Sequence, residues 1–214
     1  HEAMDTEIAA LGLQARELRD LRVRPWIQLI HWVHVLLFLG RFDAASRFAE
    51  SLLGDATVVG TAGPHMADYT FLRGMAAAGG MSDRRRMQLR IVRECARKLR
   101  VWGDHGPDFE PMLRLLEAEL ARLQGRQRTA LRRYEQAAHG SKLRGFVHHA
   151  ALACERRAEL LLASGDRIEA ARATAEARGL YAEWQAGFKE GQPARDASTA
   201  SNASSGLGVT ATSR

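Results

Sequence analysis

Apolar residues recur along most of this chain at the three- and four-residue spacing of an α-helix, and no stretch alternates as a β-strand would. Alanine, leucine and arginine, which are among the best helix formers, are abundant, and only 5 prolines occur in 214 residues. The pattern therefore predicts an all-α fold. The predicted helices span about residues 4–21, 25–39, 43–53, 64–78, 83–102, 108–124, 126–143, 146–164 and 167–189.

The ends of these helices are marked by residues with known preferences. Pro25 suits the first turn of a helix. Asp43 and Asp83 are predicted N-caps, because a carboxylate accepts hydrogen bonds from the free N–H groups of a first turn. Residues 54–63, rich in Gly, Thr and Val, are predicted to form a loop.

Four glycines predicted to break helices recur at 40, 45 and 40 residues: Gly40, Gly80, Gly125 and Gly165. Alanine stands five residues after three of them, as Ala45, Ala130 and Ala170. A glycine allows the chain to reverse between two helices, and a small residue lets the two helices cross closely. Periods of this length are typical of stacked helix pairs.

Two further positions extend the pattern around the last two glycines, an aromatic one and a small one. Tyr134 and Ala137 follow Gly125 by nine and twelve residues; after Gly165, Ala177 holds the twelfth position, while Thr174 replaces the aromatic residue at the ninth. Before these turns, the small positions are Ala118 and Ala158, while the alanine position after Gly80 is occupied by Arg85. We therefore predict antiparallel helix pairs stacked as a tetratricopeptide-repeat-like superhelix, or solenoid, of about four pairs. A helical bundle with coincidental Gly and Ala spacing is the alternative.

The composition changes after Gly191, where Ser, Ala, Thr and Gly dominate. Such a segment has too few apolar side chains to offset the entropy of ordering it. We predict a helical-repeat domain over residues 1–191 and a disordered tail over residues 192–214. The chain begins at His1 without a methionine, so we expect that upstream sequence is missing. The sequence leaves open whether the first helix pair is complete.

The charge of +6 and the pI near 10.0 raise the question of nucleic-acid binding. Only three lysines occur, and the arginines are spread over all helices and interleaved with glutamates, which argues against a phosphate-binding stripe. The compact run Arg84–Arg86 is interpreted as a solvated helix start. No signal peptide opens the chain, and the apolar run 27–39 is shorter than the ~20 residues of a membrane span. We expect a cytoplasmic protein with no specific nucleic acid and no membrane span.

Few residues suggest chemistry. His148 and His149 precede Cys154 and Glu155 on one predicted helix, and His31 and His34 lie one turn apart beside two tryptophans. The first group has no second ligand pair at the spacing of a zinc site, whereas His31 and His34 could in principle ligate a metal. Packed or surface imidazoles are the simpler interpretation of both groups. The thiols of Cys95 and Cys154 are expected to be buried and free, and Trp102 and Trp184 to pack in the core. We predict no metal and no cofactor.

The stretch from residue 90 to 189 is similar to the helical region of large bacterial signalling proteins. In that family the region follows kinase-like and ATPase modules and precedes GAF and histidine-kinase modules. Where the family usually reads Trp-Gly-Ala, this chain has Trp184-Gln185-Ala186, and the Ser/Ala/Thr tail takes the place of the sensor module. The similar residues are Val101-Trp102, Pro107, Phe109, Leu115–Glu119, Arg122–Gly125, Ala130, Tyr134–Ala137, Gly145-Phe146, His149–Ala153, Glu155, Gly165, Ala177-Arg178, Tyr181, Trp184, Ala186 and Lys189.

The resemblance implies a non-catalytic scaffold that contacts an ATPase or kinase module. No phosphate-binding loop or kinase catalytic motif lies in the chain, so we do not expect an enzyme. The alternative is a ligand- or peptide-sensing regulatory domain, like the helical sensor arms of ATPase-type transcription activators. Such a domain needs a defined apolar pocket between repeats. Polar and aromatic residues expected on a concave, protein-binding face are Arg114, Glu117, Tyr134 and Arg157.

Overall fold

The computed structural model describes residues 25–53, 64–80, 85–103 and 106–184, and all regular structure in these residues is helical. The prediction of an all-α fold is confirmed. A 3₁₀ turn at Pro107–Phe109 leads into the fifth of eight α-helices. The helices are α1 (Pro25–Phe38), α2 (Phe42–Leu53), α3 (Pro64–Gly79), α4 (Arg85–Gly103), α5 (Glu110–Leu123), α6 (Gln127–Leu143), α7 (Val147–Ala163) and α8 (Arg167–Glu183).

Several predictions fall on residues outside the described ranges. These are the first helix near residues 4–21, the loop at 54–63, the N-cap Asp83, the end of the last helix beyond 184, and the tail at 192–214. The prediction that Asp43 caps a helix is wrong. The α2 helix begins one residue earlier, at Phe42, and the N–H of Ala45 donates to the Arg41 carbonyl at 2.9 Å, so Asp43 lies inside the first turn.

Each glycine singled out by the repeat lies at the turn within a helix pair, where α1 meets α2, α3 meets α4, α5 meets α6, and α7 meets α8. Gly40, Gly125 and Gly165 have φ of 70°, 74° and 85°, the left-handed conformation that favours glycine. After α5, for example, Gly125 N–H donates to Arg122 O and Arg126 N–H to Ala121 O, both at 2.9 Å. These two bonds form a Schellman motif, which satisfies free carbonyls at the helix end.

The alanines of the repeat are buried, as predicted, because they lie where neighbouring helices approach closely. Seven such alanines are at most 7% exposed: Ala45, Ala118, Ala130, Ala137, Ala158, Ala170 and Ala177. Arg85, which replaces an alanine in the second pair, is exposed instead. Its guanidinium donates from Nε to the Leu123 carbonyl at 2.9 Å. The second pair therefore joins the third through a polar contact at this position.

The helix pairs are stacked, and the odd-numbered helices form an inner row in which α1 packs on α3, α3 on α5, and α5 on α7. Every residue of α3 from Tyr69 to Ala78 is buried. Gly74 allows the close approach of α5, since a Cβ there would lie 2.8 Å from Leu116 Cδ2. The α8 helix, in contrast, buries one stripe of residues at helical spacing, as expected of a flanking helix.

The first described pair also contacts the last. The Phe38 ring on α1 lies 5.1 Å from the Trp184 ring and 6.3 Å from the Tyr181 ring, centroid to centroid. Trp184 therefore packs in the core, as predicted. None of the described helices is long and apolar enough to cross a lipid bilayer.

Candidate functional site

Of the four residues predicted to share a concave binding face, the three charged ones form ion pairs with neighbouring side chains. Arg114 and Glu117 pair on α5 at 3.1 Å, and Glu117 also accepts from Arg100 on α4 and lies 3.3 Å from Arg133 on α6. Arg157 on α7 is 3.9 Å from a carboxylate oxygen of Glu169 on α8. These charged groups connect odd helices to their even-numbered neighbours.

The prediction that Tyr134 belongs to a binding surface is wrong, because its side chain is fully buried. Its hydroxyl donates to Glu119 Oε1 at 2.8 Å, and Glu119 is itself 0% exposed. A buried carboxylate requires donors, so the aromatic position of the repeat supplies one here rather than contacting a partner.

Two arginines complete this buried network. Arg156 Nε donates to Glu119 Oε1 at 2.7 Å, and Arg122 Nε donates to Glu119 Oε2 at 2.8 Å. Burial by itself would raise the pKa of Glu119, but the positive charges of Arg122 and Arg156 outweigh it and hold that pKa at about 2. We call Glu119, Arg122, Tyr134 and Arg156 the carboxylate network; it links α5, α6 and α7 and its carboxylate is ionised.

A second polar cluster lines a pocket of about 140 Å³ between α1, α3 and α7. The structure here joins the two histidine pairs that the sequence kept apart, His31 and His34 from α1 and His148 and His149 from α7. We call it the histidine pocket. Its lining residues are Ile30, His31, His34, His65, Asp68, Phe71, Leu72, His148 and His149.

Aromatic contacts hold the inner imidazoles of this pocket, which are those of His34, His148 and His149. The ring centroids of His148 and His149 are 4.1 Å apart, and those of His34 and His148 are 5.7 Å apart. His148 stacks on Trp184 at 5.2 Å, and His149 meets Phe71 edge-on at 4.7 Å. The contact between the first and last helix pairs therefore builds one wall of the pocket.

The inner imidazoles are neutral at physiological pH. Burial, with smaller contributions from His148 and His31, lowers the pKa of His34 to about 4. Burial also lowers the pKa of His148, and lowers that of the His149 imidazole well below its ordinary range. Desolvation disfavours the charged imidazolium, so these rings offer one N–H donor and one nitrogen acceptor each.

Two of these ring nitrogens are buried without a hydrogen-bond partner among the described residues, His34 Nε2 and His149 Nδ1. Buried polar atoms in proteins almost always have partners, so such an exception marks a place where a ligand or water can bind. On the more exposed side, burial raises the pKa of Asp68, and this effect is opposed by His65 and His31.

The structure separates the histidines from the other residues of their predicted cluster. Glu155 accepts a hydrogen bond from the Tyr181 hydroxyl on α8. Burial raises the pKa of Cys154 to about 12 and that of Cys95 to about 11, so both thiols are protonated and are poor metal ligands. Within the described residues, no group of three or more His, Cys, Asp or Glu side chains is arranged to hold a metal ion.

A third feature is an open groove of about 670 Å³ between α2 and α4, with the end of α3 as its floor. Both charge signs line it, and Met87 in its wall is 46% exposed. We call it the α2–α4 groove. Its lining residues are Asp43, Ser46, Arg47, Glu50, Ala77, Gly80, Met87, Gln88, Arg90 and Ile91.

Comparison with known proteins does not assign this chain to a family. No protein-family model matches this chain, and no curated protein is significantly similar to it.

Proposed function

We propose that this chain is a non-catalytic helical-repeat domain that binds another protein, and that this partner is an ATPase or kinase module of a bacterial signalling system. The observation that supports the proposal is the α2–α4 groove, which opens between successive helix pairs of the stack. The stacked pairs of helical-repeat proteins form extended surfaces that bind their partners. The nature of the partner comes from the sequence resemblance.

The composition of the groove suits a polar partner segment with an apolar anchor. Arg90 and Met87 are both exposed on α4 and line the groove, so they can contact a partner without rearrangement of the core. An exposed methionine adapts to apolar side chains of different shapes. A fully buried anchor at the centre of such a contact would supply most of the binding energy.

The test is affinity capture with the whole chain as bait, followed by identification of the bound proteins by mass spectrometry. We expect capture of an ATPase or kinase polypeptide, reduced at least about tenfold by the double substitution Met87→Glu and Arg90→Glu. Arg172→Glu, on the exposed face of α8, is the matched control and should leave capture unchanged. Equal capture by all three proteins, or capture of no such polypeptide, would refute the proposal.

A second candidate function is ligand sensing, and the histidine pocket favours it. The pocket lies between α1, α3 and α7, so a bound molecule would contact the first and last described helix pairs together. A ligand there would change the free energy of contact between those pairs. Unlike the apolar pocket expected from sequence, however, this one is lined largely by imidazoles.

A further inference from the structure

The histidine pocket has the size of a single-ring molecule. Its volume of about 140 Å³ is close to that of cavities, ~150 Å³, that accept one benzene ring. It runs from the exposed side chains of His31 and His65 to His149, which is only 4% exposed. Phe71, Leu72 and the imidazole faces provide apolar and planar walls around this space. A flat ring can therefore enter from the outside and contact these walls.

The deep end of the pocket offers hydrogen bonding without charge. His34 Nε2 and His149 Nδ1 have no partner within the described part of the chain, and their imidazoles are neutral. Neutral rings do not attract an anion as imidazolium groups would. An uncharged part of a ligand therefore suits this end of the pocket, and a polar substituent on it would remove the cost of burying the two nitrogens alone.

The outer part of the pocket carries a carboxylate, Asp68, beside His31 and His65. Asp68 is the sole acidic residue among the described lining residues, and none of them is Lys or Arg. The pocket thus has neutral, ring-shaped walls inside and a negative group nearer its mouth. Aromatic faces and a carboxylate together are the chemistry that recognises organic cations.

We infer that the histidine pocket is a binding site for a small organic cation that carries one aromatic ring. The ring lies in the pocket against Phe71, Leu72 and the imidazole walls, and the ammonium or amidinium group pairs with Asp68. The inference is independent of the α2–α4 groove, which different helices form, and it supplies a ligand class for the sensing function.

The experiment uses three probes of nearly equal size at pH ~8, where histidine side chains as a class are uncharged. Benzylamine is the cation, benzyl alcohol the neutral analogue and benzoate the anion. Isothermal titration calorimetry on the whole chain should show saturable 1:1 binding of benzylamine, with a Kd of about 1 mM or tighter. Benzyl alcohol should bind at least about tenfold more weakly, and benzoate should not bind.

Two variants test the role of the carboxylate. Asp68→Asn should weaken benzylamine binding at least about tenfold, whereas Asp108→Asn, at an exposed aspartate in the 3₁₀ turn, should leave it unchanged. Thermal unfolding of each variant checks that it folds. Histidine Cε1–H signals of His34, His148 and His149 in NMR spectra should shift with benzylamine and shift less at the same benzylamine concentration in Asp68→Asn.

Three results would overturn the inference. The first is the absence of saturable benzylamine binding, which would mean that the pocket holds only water. The second is benzoate binding as tightly as benzylamine. The third is an equal affinity for benzylamine in Asp68→Asn and in the unsubstituted chain. None of them bears on capture through the α2–α4 groove, so the two proposals can fail separately.

Discussion

The carboxylate network and the histidine pocket are both polar clusters within a core of helices, but they satisfy their polar groups differently. In the network, Glu119 is completely buried and ionised, and it receives hydrogen bonds from Arg122, Tyr134 and Arg156. In the pocket, buried imidazoles are neutral, and two of their nitrogens lack partners among the described residues. A satisfied network holds helices in one arrangement, whereas an unsatisfied pocket retains hydrogen-bonding capacity for another molecule.

The strongest test of this contrast is the loss of the buried negative charge. Glu119→Gln should reduce the free energy of unfolding by about 3–5 kcal/mol, because the buried Arg156 would keep only Glu159 as a counter-charge and the half-buried Arg122 would lose its pair. Urea unfolding followed by circular dichroism measures this. The control is Glu176→Gln, which removes a half-exposed pair with Lys142 and should cost less than about 1 kcal/mol. A similar small effect for both variants would mean that the network does not hold the helices together.

The two clusters should also respond to acid in different pH windows. When the pKa of a group is lower in the folded state than in the unfolded state, the unfolded chain binds the proton at a higher pH, so acidification favours unfolding. The stability associated with His34, His148 and His149 is therefore complete above pH 6.5 and is lost as the pH falls towards 4. The contribution of Glu119 is lost lower, as the pH falls from 4.5 through about 2. The expected slope is about 1.4 kcal/mol per pH unit for each proton taken up on unfolding.

Urea unfolding at pH 7.5, 6.5, 5.5 and 4.5 is the measurement for the upper window. The double variant His34→Gln and His149→Leu should flatten the loss of stability between about pH 6.5 and 4. His139→Gln, at an exposed histidine on α6, should leave the slope as it is. Stability that does not change between pH 6.5 and 4.5 would argue against buried neutral imidazoles.

A smaller effect should follow from removing one donor of the network. Tyr134→Phe deletes the hydroxyl that bonds Glu119 Oε1 and leaves both arginines in place. We expect a loss of about 1.5–3 kcal/mol, the range for a hydrogen bond to a charged group. A loss as large as that of Glu119→Gln would show that the network depends on the tyrosine hydroxyl as much as on the carboxylate, contrary to this expectation.

The smallest effect is expected where a polar group lacks a partner. His149→Leu removes the orphaned Nδ1 and replaces the imidazole by an apolar side chain of similar size, so at pH 7.5 stability should change by less than about 1 kcal/mol. Thermal unfolding checks this, with Tyr134→Phe as the comparison. If His149→Leu were the more damaging of the two, the imidazole would have a structural partner, and the distinction between the clusters would fail.

From the sequence, the residues of the histidine pocket were easier to find than those of the carboxylate network. The histidine pairs were singled out, but as two separate groups on different helices, because helical spacing relates only residues within a few turns. Glu119 resembled the many glutamates on exposed helix faces, and Tyr134 was assigned to a surface. Tyr134 occupies the aromatic position of the repeat, yet only the helices packed around it show that its hydroxyl bonds a buried carboxylate.

What the sequence alone determined is local: the helices, the glycines that allow tight turns between paired helices, and the small alanines at their crossings. These follow from backbone conformation and from apolar spacing, which depend on neighbouring residues. The tertiary structure decided which polar side chains meet. Contact between the first and last described helix pairs brings His34 to His148, and the packing of α5, α6 and α7 surrounds Glu119 with donors. Such contacts depend on how whole helix pairs stack, and no local pattern encodes that.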